Sequence, residues 1–502
     1  MTTFIEDIEN YLDTEIVDDK DLVSIILRVG LSAYTKNPLN LMVKAPSSEG
    51  KSYAVNQVIS LFPNEDVLFL GGMSPSALIH ERGIIVDEND HPIEDRVDTL
   101  DNEIRQCHDT NRKRELEQQK RALLNNSRNL IDMGGKILVF LDTPDWNLWR
   151  KLKPILSHDR ESIQFKVTDK TGKGTLMTKN TIIRGWPAVI YCSAKNEEGF
   201  PDWAEIETRF LIASPNTEIA KYKKANHLTA TKQSIPHFAE TMLCSDPRGK
   251  DRSKCYVGLL KKMICEISQD GNGVYNPFYR IIAELLPSNE GAMMRVAKQF
   301  FALCNLETFI NSYQRCKIVY EKDQTKKECP IVSLHEIERT ILLLGKPSHL
   351  PPDKVKFFEQ VFEKAVAGKI DGEITSADLA VKYREITGKS TNPKKILENY
   401  LTPLYYAGVL ASRTNPNDAR GYLYKKISDI IKREFDYIRE KIIEQSKADP
   451  LFVKTGIDEL EKHSTGYTLY IIDKGRNTLP KEHLQEILLG QNQTNVTSSA
   501  QA

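Results

Sequence analysis

The sequence predicts an α/β fold with a mostly parallel sheet built around a phosphate-binding loop. Three observations carry that prediction. Leu39 to Val43 is a short buried strand that runs into APSSEGKS (45–52), with a helix behind it through Phe62. KILVFLD (136–142) is a strongly apolar strand ending in a carboxylate, Asp142. Further short apolar strands, Val67 to Leu70, Pro187 to Cys192 and Phe210 to Ala213, alternate with helical segments.

Bulk properties set the frame. At 502 residues the chain is long enough for two or three domains, and its 40% hydrophobic and 27% charged content is ordinary for a soluble globular protein. Lys+Arg and Asp+Glu are both 69, so any affinity for nucleic acid must come from local basic surfaces. No apolar run approaches the roughly 20 residues that span a bilayer. The acidic start, MTTFIEDIENYLDTE, lacks the basic-then-apolar order of a signal peptide. Eight cysteines without a CxxC pair fit reduced thiols and argue against a zinc ribbon or a disulfide scaffold. The expectation is a cytoplasmic protein with no membrane partner.

Along the chain, residues 1–38 read as a helical lead-in, with apolar positions at helical spacing over 20–36. Residues 39–215 form the sheet-bearing core. Within it, 94–131 are highly charged and read as an inserted helix or helical hairpin. SIQFKVT (162–168), a DKTGKG tip and LMTKNTIIR (176–184) read as a β-hairpin. Residues 216–345 turn helical and make a lid region. Residues 355–427 are a separate small domain, 428–489 a long charged helix with a small α/β tail, and 490–502 have the composition of disorder.

The loop carries the chemistry. APSSEGKS fits the phosphate-loop pattern, with Ala45 where the first glycine usually stands. Ser47, Ser48, Glu49, Gly50, Lys51, Ser52 and Tyr53 are the expected ATP-binding residues. Amides from Ser48 to Ser52 would face the β-phosphate at the positive end of the following helix. Lys51 would reach the β- and γ-phosphates, and Ser52 would ligate Mg²⁺. Asp142, at the tip of a buried strand beside the loop's own strand, is the expected second Mg²⁺ holder. Thr143 follows it where many ATPases carry a glutamate that orients water, and Asp145 is the substitute across Pro144. ATP and Mg²⁺ are therefore the expected cofactors.

Taken in order, the phosphate-loop strand, acidic-tipped strand, hairpin, polar-tipped strand and an arginine before the last strand resemble the AAA+ ATPases of the presensor-1 β-hairpin group. The likeness is greatest to the minichromosome maintenance (MCM) replicative helicases. PLNLMVKAPSSEGKS (38–52) and RGWP (184–187) also resemble the ATPase regions of primase-associated proteins. The likeness covers residues 20–312 and the C-terminal module, without the MCM N-terminal DNA-binding domain.

The resemblance implies roles for several residues. Ser193 and Asn196 would be sensor 1, and Arg209 in EIETRFLI the arginine finger that reaches a neighbouring subunit's ATP. Arg295 would be the sensor-2 arginine, on a lid helix with Met294, Ala297 and Phe301 as its apolar face. Lys170 and Lys173 at the hairpin tip would grip single-stranded DNA in the channel of a ring, a homo-oligomer with a hexamer favoured. Lys51 and Asp142, with Asp145, Asn196, Arg209 and Arg295, make up the implied catalytic set.

The C-terminal module reads helix, turn, helix, ribbon. ITSADLAVKYREITG is the first helix, and STNPKKILENYLTPLYYAGVL the second, capped by Thr391 or Asn392 and ended at Gly408. A loop and a return strand, YLYKKI, complete the layout of a winged helix. Lys394, Lys395, Arg413 and Arg420, with Lys425 and Lys426, are its candidate contacts to duplex DNA.

The expected function is a DNA-dependent ATPase: a ring-forming helicase or a replication-associated remodelling motor. The alternative is an ATP-switched DNA-binding regulator or origin-binding loader with slow hydrolysis, which Thr143 favours. A small-molecule phosphotransferase fits poorly with the long C-terminal half.

Overall fold

The apolar strands of the first half assemble as a parallel sheet. The computed structural model describes residues 4–490 apart from 46, 71–82, 143, 145, 170–176, 194–205, 207, 217–218, 235–248, 270–272, 287–292, 345–351, 368, 370–371, 407–409, 417 and 427–429. Its first strands are β1 Asn40–Lys44, β2 Val67–Leu70, β3 Ile84–Val86, β4 Arg128–Asp132, β5 Ile137–Phe140, β6 Ser162–Asp169, β7 Met177–Arg184, β8 Ala188–Ser193 and β9 Leu211–Ala213. The central sheet runs β2-β5-β8-β1-β9, and every pairing in it is parallel.

Both faces of this sheet are covered. Leu41, Val43, Ile137, Val139, Ile190 and Cys192 face one core, while Met42, Leu138, Phe140, Val189 and Tyr191 face another. That alternation follows from the two-residue period of a strand, and burial on both sides explains why the strands read as continuous apolar runs. The second core centres on Trp149, which meets Tyr191 and Phe210 edge-on at 5.1 and 5.6 Å.

On the first face lie α1 Phe4–Glu15, α2 Lys20–Ser32 and α3 Lys51–Ile59. Arg28 of α2 is fully buried between Glu9 of α1 and Glu307 of the helix Met293–Ile310. Its Nη1 also donates to the Ser24 hydroxyl at 2.7 Å. Burial pushes the Glu9 carboxyl up, but Arg28, Ser24 and Arg339 together hold it below its usual value. A buried arginine demands such partners, and here they lock α1 and the Met293–Ile310 helix to the sheet body.

Four sequence expectations need correction. The charged insertion is a helical hairpin, Glu94–Gln106 and Thr110–Asn125, but its end is the strand β4. β4 pairs in parallel with β7, so the hairpin β6–β7 belongs to a second sheet, β3-β4-β7-β6. The lid region is not wholly helical. After the helices Ile219–Ser234, Gly249–Gln269, Tyr279–Leu285 and Met293–Ile310 come two strands, β10 Lys317–Lys322 and β11 Thr325–Pro330. Met294 is 74% exposed and belongs to no apolar face; Phe300, Leu303, Cys304 and Leu306 are among the buried residues of that helix, with Ala297 and Phe301 partly buried against the same core.

Residues 352–426 carry their own core, in which Phe357, Phe362, Leu379, Leu401 and Leu404 are buried. The strand β12 Glu373–Thr375 leads into the helices Ser376–Thr387 and Pro393–Ile396, and β13 Leu410–Asn415 and β14 Asp418–Lys426 follow them, the three strands pairing in the order β12-β14-β13. Asn392 caps the second helix, its side chain accepting from the Lys395 amide at 2.7 Å. Gly408 lies outside the described residues. The helix Ile430–Ala448 then leads to β15 Thr468–Ile472 and β16 Thr478–Leu479, and β15 pairs antiparallel with β10. No helix among the described residues is long and apolar enough to cross a membrane.

Candidate functional site

The loop leaves the C-terminal end of β1 and enters α3 with two residues in the left-handed region, Ser48 at φ 69° and Gly50 at φ 83°. Ala45 is not among the described residues with positive φ, so its side chain costs nothing there. A Cβ on Gly50 would meet no atom within 4 Å, which makes the backbone angle its only constraint. A loop of this shape ending at a helix N-terminus presents amide and ammonium donors to an anion.

Lys51 is buried, and its Nζ donates to the Ala45 carbonyl at 2.7 Å. Burial lowers its pKa, with Cys192 and Glu49 acting the other way. The rim of the loop is tied down from outside. Glu49 accepts from the Tyr222 hydroxyl at 2.7 Å, and Tyr53, itself exposed, donates to the Glu15 carbonyl at 3.2 Å. Ser47 is also exposed, and Ser52 is half-buried. Asp19, between α1 and α2, accepts from the Asn216 amide at 2.6 Å and pairs with Lys221 at 2.5 Å.

Asp142 is exposed at the C-terminal side of β5, two residues past its last position, Phe140. The expectation that its strand lies beside the loop's strand is not met: β8 runs between β5 and β1. That interposed strand contributes Cys192, opposite Val43 in the register and on the face that α3 covers. Burial pushes the Cys192 thiol up to about 11; Lys51 and a hydrogen bond with Ser52 oppose the rise, and Asp142 adds to it. Lys51, Ser52, Asp142 and Cys192 therefore share one end of the sheet. Sequence reading missed Cys192 and Tyr222; the available signal for Cys192 was its position at the tip of a buried strand.

The two arginines lie elsewhere. The β1–β9 register sets Arg209 level with Leu39, at the N-terminal end of the sheet, about 16 Å along β1 from the loop. Arg209 is buried, and its Nε donates to the Ser157 hydroxyl at 2.9 Å. Arg295 donates to the Thr208 hydroxyl at 2.6 Å, and both arginines line one small pocket with Asn40, Ser157, His158 and Lys298. Arg295 thus stands with Arg209, away from the phosphate loop of its own chain.

Ser193 ends β8, buried, its carbonyl accepting from the Ala45 amide at 3.2 Å. Asp145, Asn196, Lys170 and Lys173 lie outside the described residues, as does the side chain of Arg420. In the C-terminal ribbon, Arg413 is held by Glu373 through two hydrogen bonds, of 2.7 and 2.5 Å. Lys426 pairs with Glu363, and Lys394 with Glu398 at 3.7 Å. Lys395 and Lys425 are exposed. No group of three or more metal-binding side chains occurs among the described residues.

The sheet and loop define an α/β chain with a parallel core and a phosphate-loop turn at its C-terminal edge. No protein-family model matches this chain, and no curated protein matches it. Among solved structures it is similar to a "putative ATPase" from Cytophaga hutchinsonii, at 11% identity and a TM-score of 0.31, over 67% of this chain and 84% of that one.

Proposed function

We propose that the chain is a P-loop ATPase of the AAA+ type that works as a ring on DNA. One observation carries the reading: a left-handed turn at Ser48 and Gly50 delivers Lys51 and Ser52 to the start of α3, at the same end of a parallel sheet as Asp142. These residues fit a magnesium-bound triphosphate. The loop amides and Lys51 would hold the phosphates, and Ser52 and Asp142 the metal, which would supply neutralising charge there.

The separation of the arginines supports the ring. Arg209 and Arg295 sit at the opposite end of the sheet from Lys51, so they serve a nucleotide only when it is presented by a second copy. A contact of that kind joins unlike faces, and repetition closes it into a ring. In this reading the hairpin β6–β7, with Lys170 and Lys173, grips single-stranded DNA, and residues 355–427 act as a winged helix on duplex DNA. Hexameric assembly and helicase action belong to the same proposal.

The second reading, an ATP-switched DNA-binding regulator with slow turnover, rests on Thr143 following Asp142. Steady-state ATP hydrolysis with and without single-stranded DNA, together with strand displacement, separates the two. The motor requires DNA-stimulated turnover and unwinding, both lost in Lys51→Ala. ATP-dependent DNA binding without unwinding favours the regulator. Undiminished ATP affinity in Lys51→Ala overturns both.

A further inference from the structure

The helix Ile219–Ser234, which follows β9, is seated by polar contacts at its first turn. Among its described side chains only Lys221 is buried. Lys221 pairs with Asp19 at 2.5 Å and donates to the Asn216 carbonyl at 2.9 Å. Asn216 is itself held by the turn between α1 and α2. Its amide donates to Asp19 at 2.6 Å and its side chain to the Asp18 carbonyl at 3.3 Å. The next residue of the helix, Tyr222, donates its hydroxyl to Glu49 of the phosphate loop at 2.7 Å. Successive residues of a helix stand about 100° apart around its axis. The helix root is therefore gripped from two directions, and it cannot roll without breaking one of the contacts.

Glu49 lies between the two left-handed residues of the loop, Ser48 at φ 69° and Gly50 at φ 83°. A serine in that region is unfavourable and persists where its surroundings impose it. Packing contributes little here, because Ser47, Ser48 and Gly50 are exposed. The Glu49 carboxylate, anchored by Tyr222, is an outside hold on the stretch of backbone whose amides would take the phosphates. The hydrogen bond with Glu49, then burial and the Glu49 charge, push the Tyr222 hydroxyl up to about 12, so it stays a donor at neutral pH.

We propose that Tyr222 is a positioning residue of the phosphate loop, and that its bond to Glu49 couples a nucleotide in the loop to the seat of the helix Ile219–Ser234. The inference rests on the ATPase reading for the identity of the ligand. A phosphate fixes the Glu49 backbone and Tyr222 fixes its side chain, so each constraint makes the other easier to form. Linkage makes the effect reciprocal: the factor that Tyr222 adds to nucleotide affinity is the factor that nucleotide adds to the closure of Tyr222 on Glu49. Tyr222 acts through Glu49 and touches no reacting atom.

The test uses the full-length chain with magnesium and a non-hydrolysable ATP analogue, followed by calorimetry and by hydrogen exchange over residues 219–234. Tyr222→Phe removes only the hydroxyl and should weaken analogue binding about tenfold, the effect of one hydrogen bond. In a Glu49→Ala background the same substitution should change nothing, because its partner is gone. Analogue should slow exchange near the start of the helix in the parent and in Lys223→Met, an exposed position of the same helix, but not in Tyr222→Phe. A merely structural tyrosine would lower the unfolding midpoint and leave that nucleotide-dependent difference intact. Unchanged affinity in Tyr222→Phe, an equal loss in the Glu49→Ala background, or exchange slowed as much in Tyr222→Phe as in the parent would each overturn the proposal while the ATP reading stands. A parent chain that binds no analogue overturns the ATP reading instead, and the coupling falls with it.

Discussion

The thiol of Cys192 and the hydroxyl of Ser52 hydrogen-bond across the gap between β8 and α3. The contact follows from strand order: β8 lies between the loop strand and the Asp142 strand, so its tip reaches the head of α3. Ser52 is therefore positioned by a strand distant in sequence as well as by its own helix.

Replacing Cys192 by leucine should disturb that position. Overpacking of this kind costs about 1–3 kcal/mol in stability. ATP hydrolysis should fall much further than stability, while Cys192→Ser keeps both the volume and the hydrogen bond and retains activity. Because burial keeps the thiol protonated, Cys192 should resist alkylation in the folded chain and react after unfolding. Turnover measured beside urea unfolding, with mass spectrometry of the labelled thiol, checks all three outcomes.

Lys51→Ala and Arg209→Ala chains should each lack ATPase activity alone and recover part of it when mixed. An intact loop on one chain then meets an intact Arg209 on another. A trans arginine is worth about 10³–10⁵ in turnover, so recovery should stand well above background. No recovery over a range of mixing ratios would place Arg209 outside catalysis.

Acid should weaken the fold through His158. Burial, with Lys298, lowers its pKa to about 4, below the free value of 6.5. The unfolded chain takes up the proton first, so this contribution to stability is complete above pH 6.5 and is lost as pH falls towards 4. Thermal midpoints of the His158→Asn chain should decline less steeply across that window than those of the parent.

Arg28→Met should be among the most damaging single substitutions. It leaves Glu307 buried without its cation and Glu9 with Arg339 alone, a loss of about 3–5 kcal/mol by analogy with other buried pairs. Removing the exposed Arg439, which pairs with Glu338, should leave urea unfolding almost unchanged.

Local signals carried the strands of the parallel sheet, the loop, the β6–β7 hairpin and the helix cap at Asn392 into plain view. Each depends on residues within about ten positions of one another, where alternation and turn chemistry act directly. The β10–β11 hairpin was hidden because its turn, Asp323–Gln324, takes two left-handed residues without a glycine, at φ 48° and 66°. β4 was hidden by its place at the end of a charged helical hairpin, with only Leu130 and Ile131 as apolar residues. The meeting of Arg295 with Thr208, 87 residues away, depends on tertiary packing and had no local signature. The same holds for Cys192 against Ser52.

The antiparallel pairing of β10 with β15 has a mechanical consequence. The chain quits that sheet at Pro330 and rejoins it at Thr468, so residues 352–426 hang from it by two tethers. The helices at the tether roots, Leu334–Leu344 and Ile430–Ala448, are clasped by Glu338 and Arg439 and by Ile337, Ile341, Ile438 and Ile442 in one core. The helix before the module and the helix after it thus pack on each other, so both anchors of the module meet at one place beside the β10–β15 sheet.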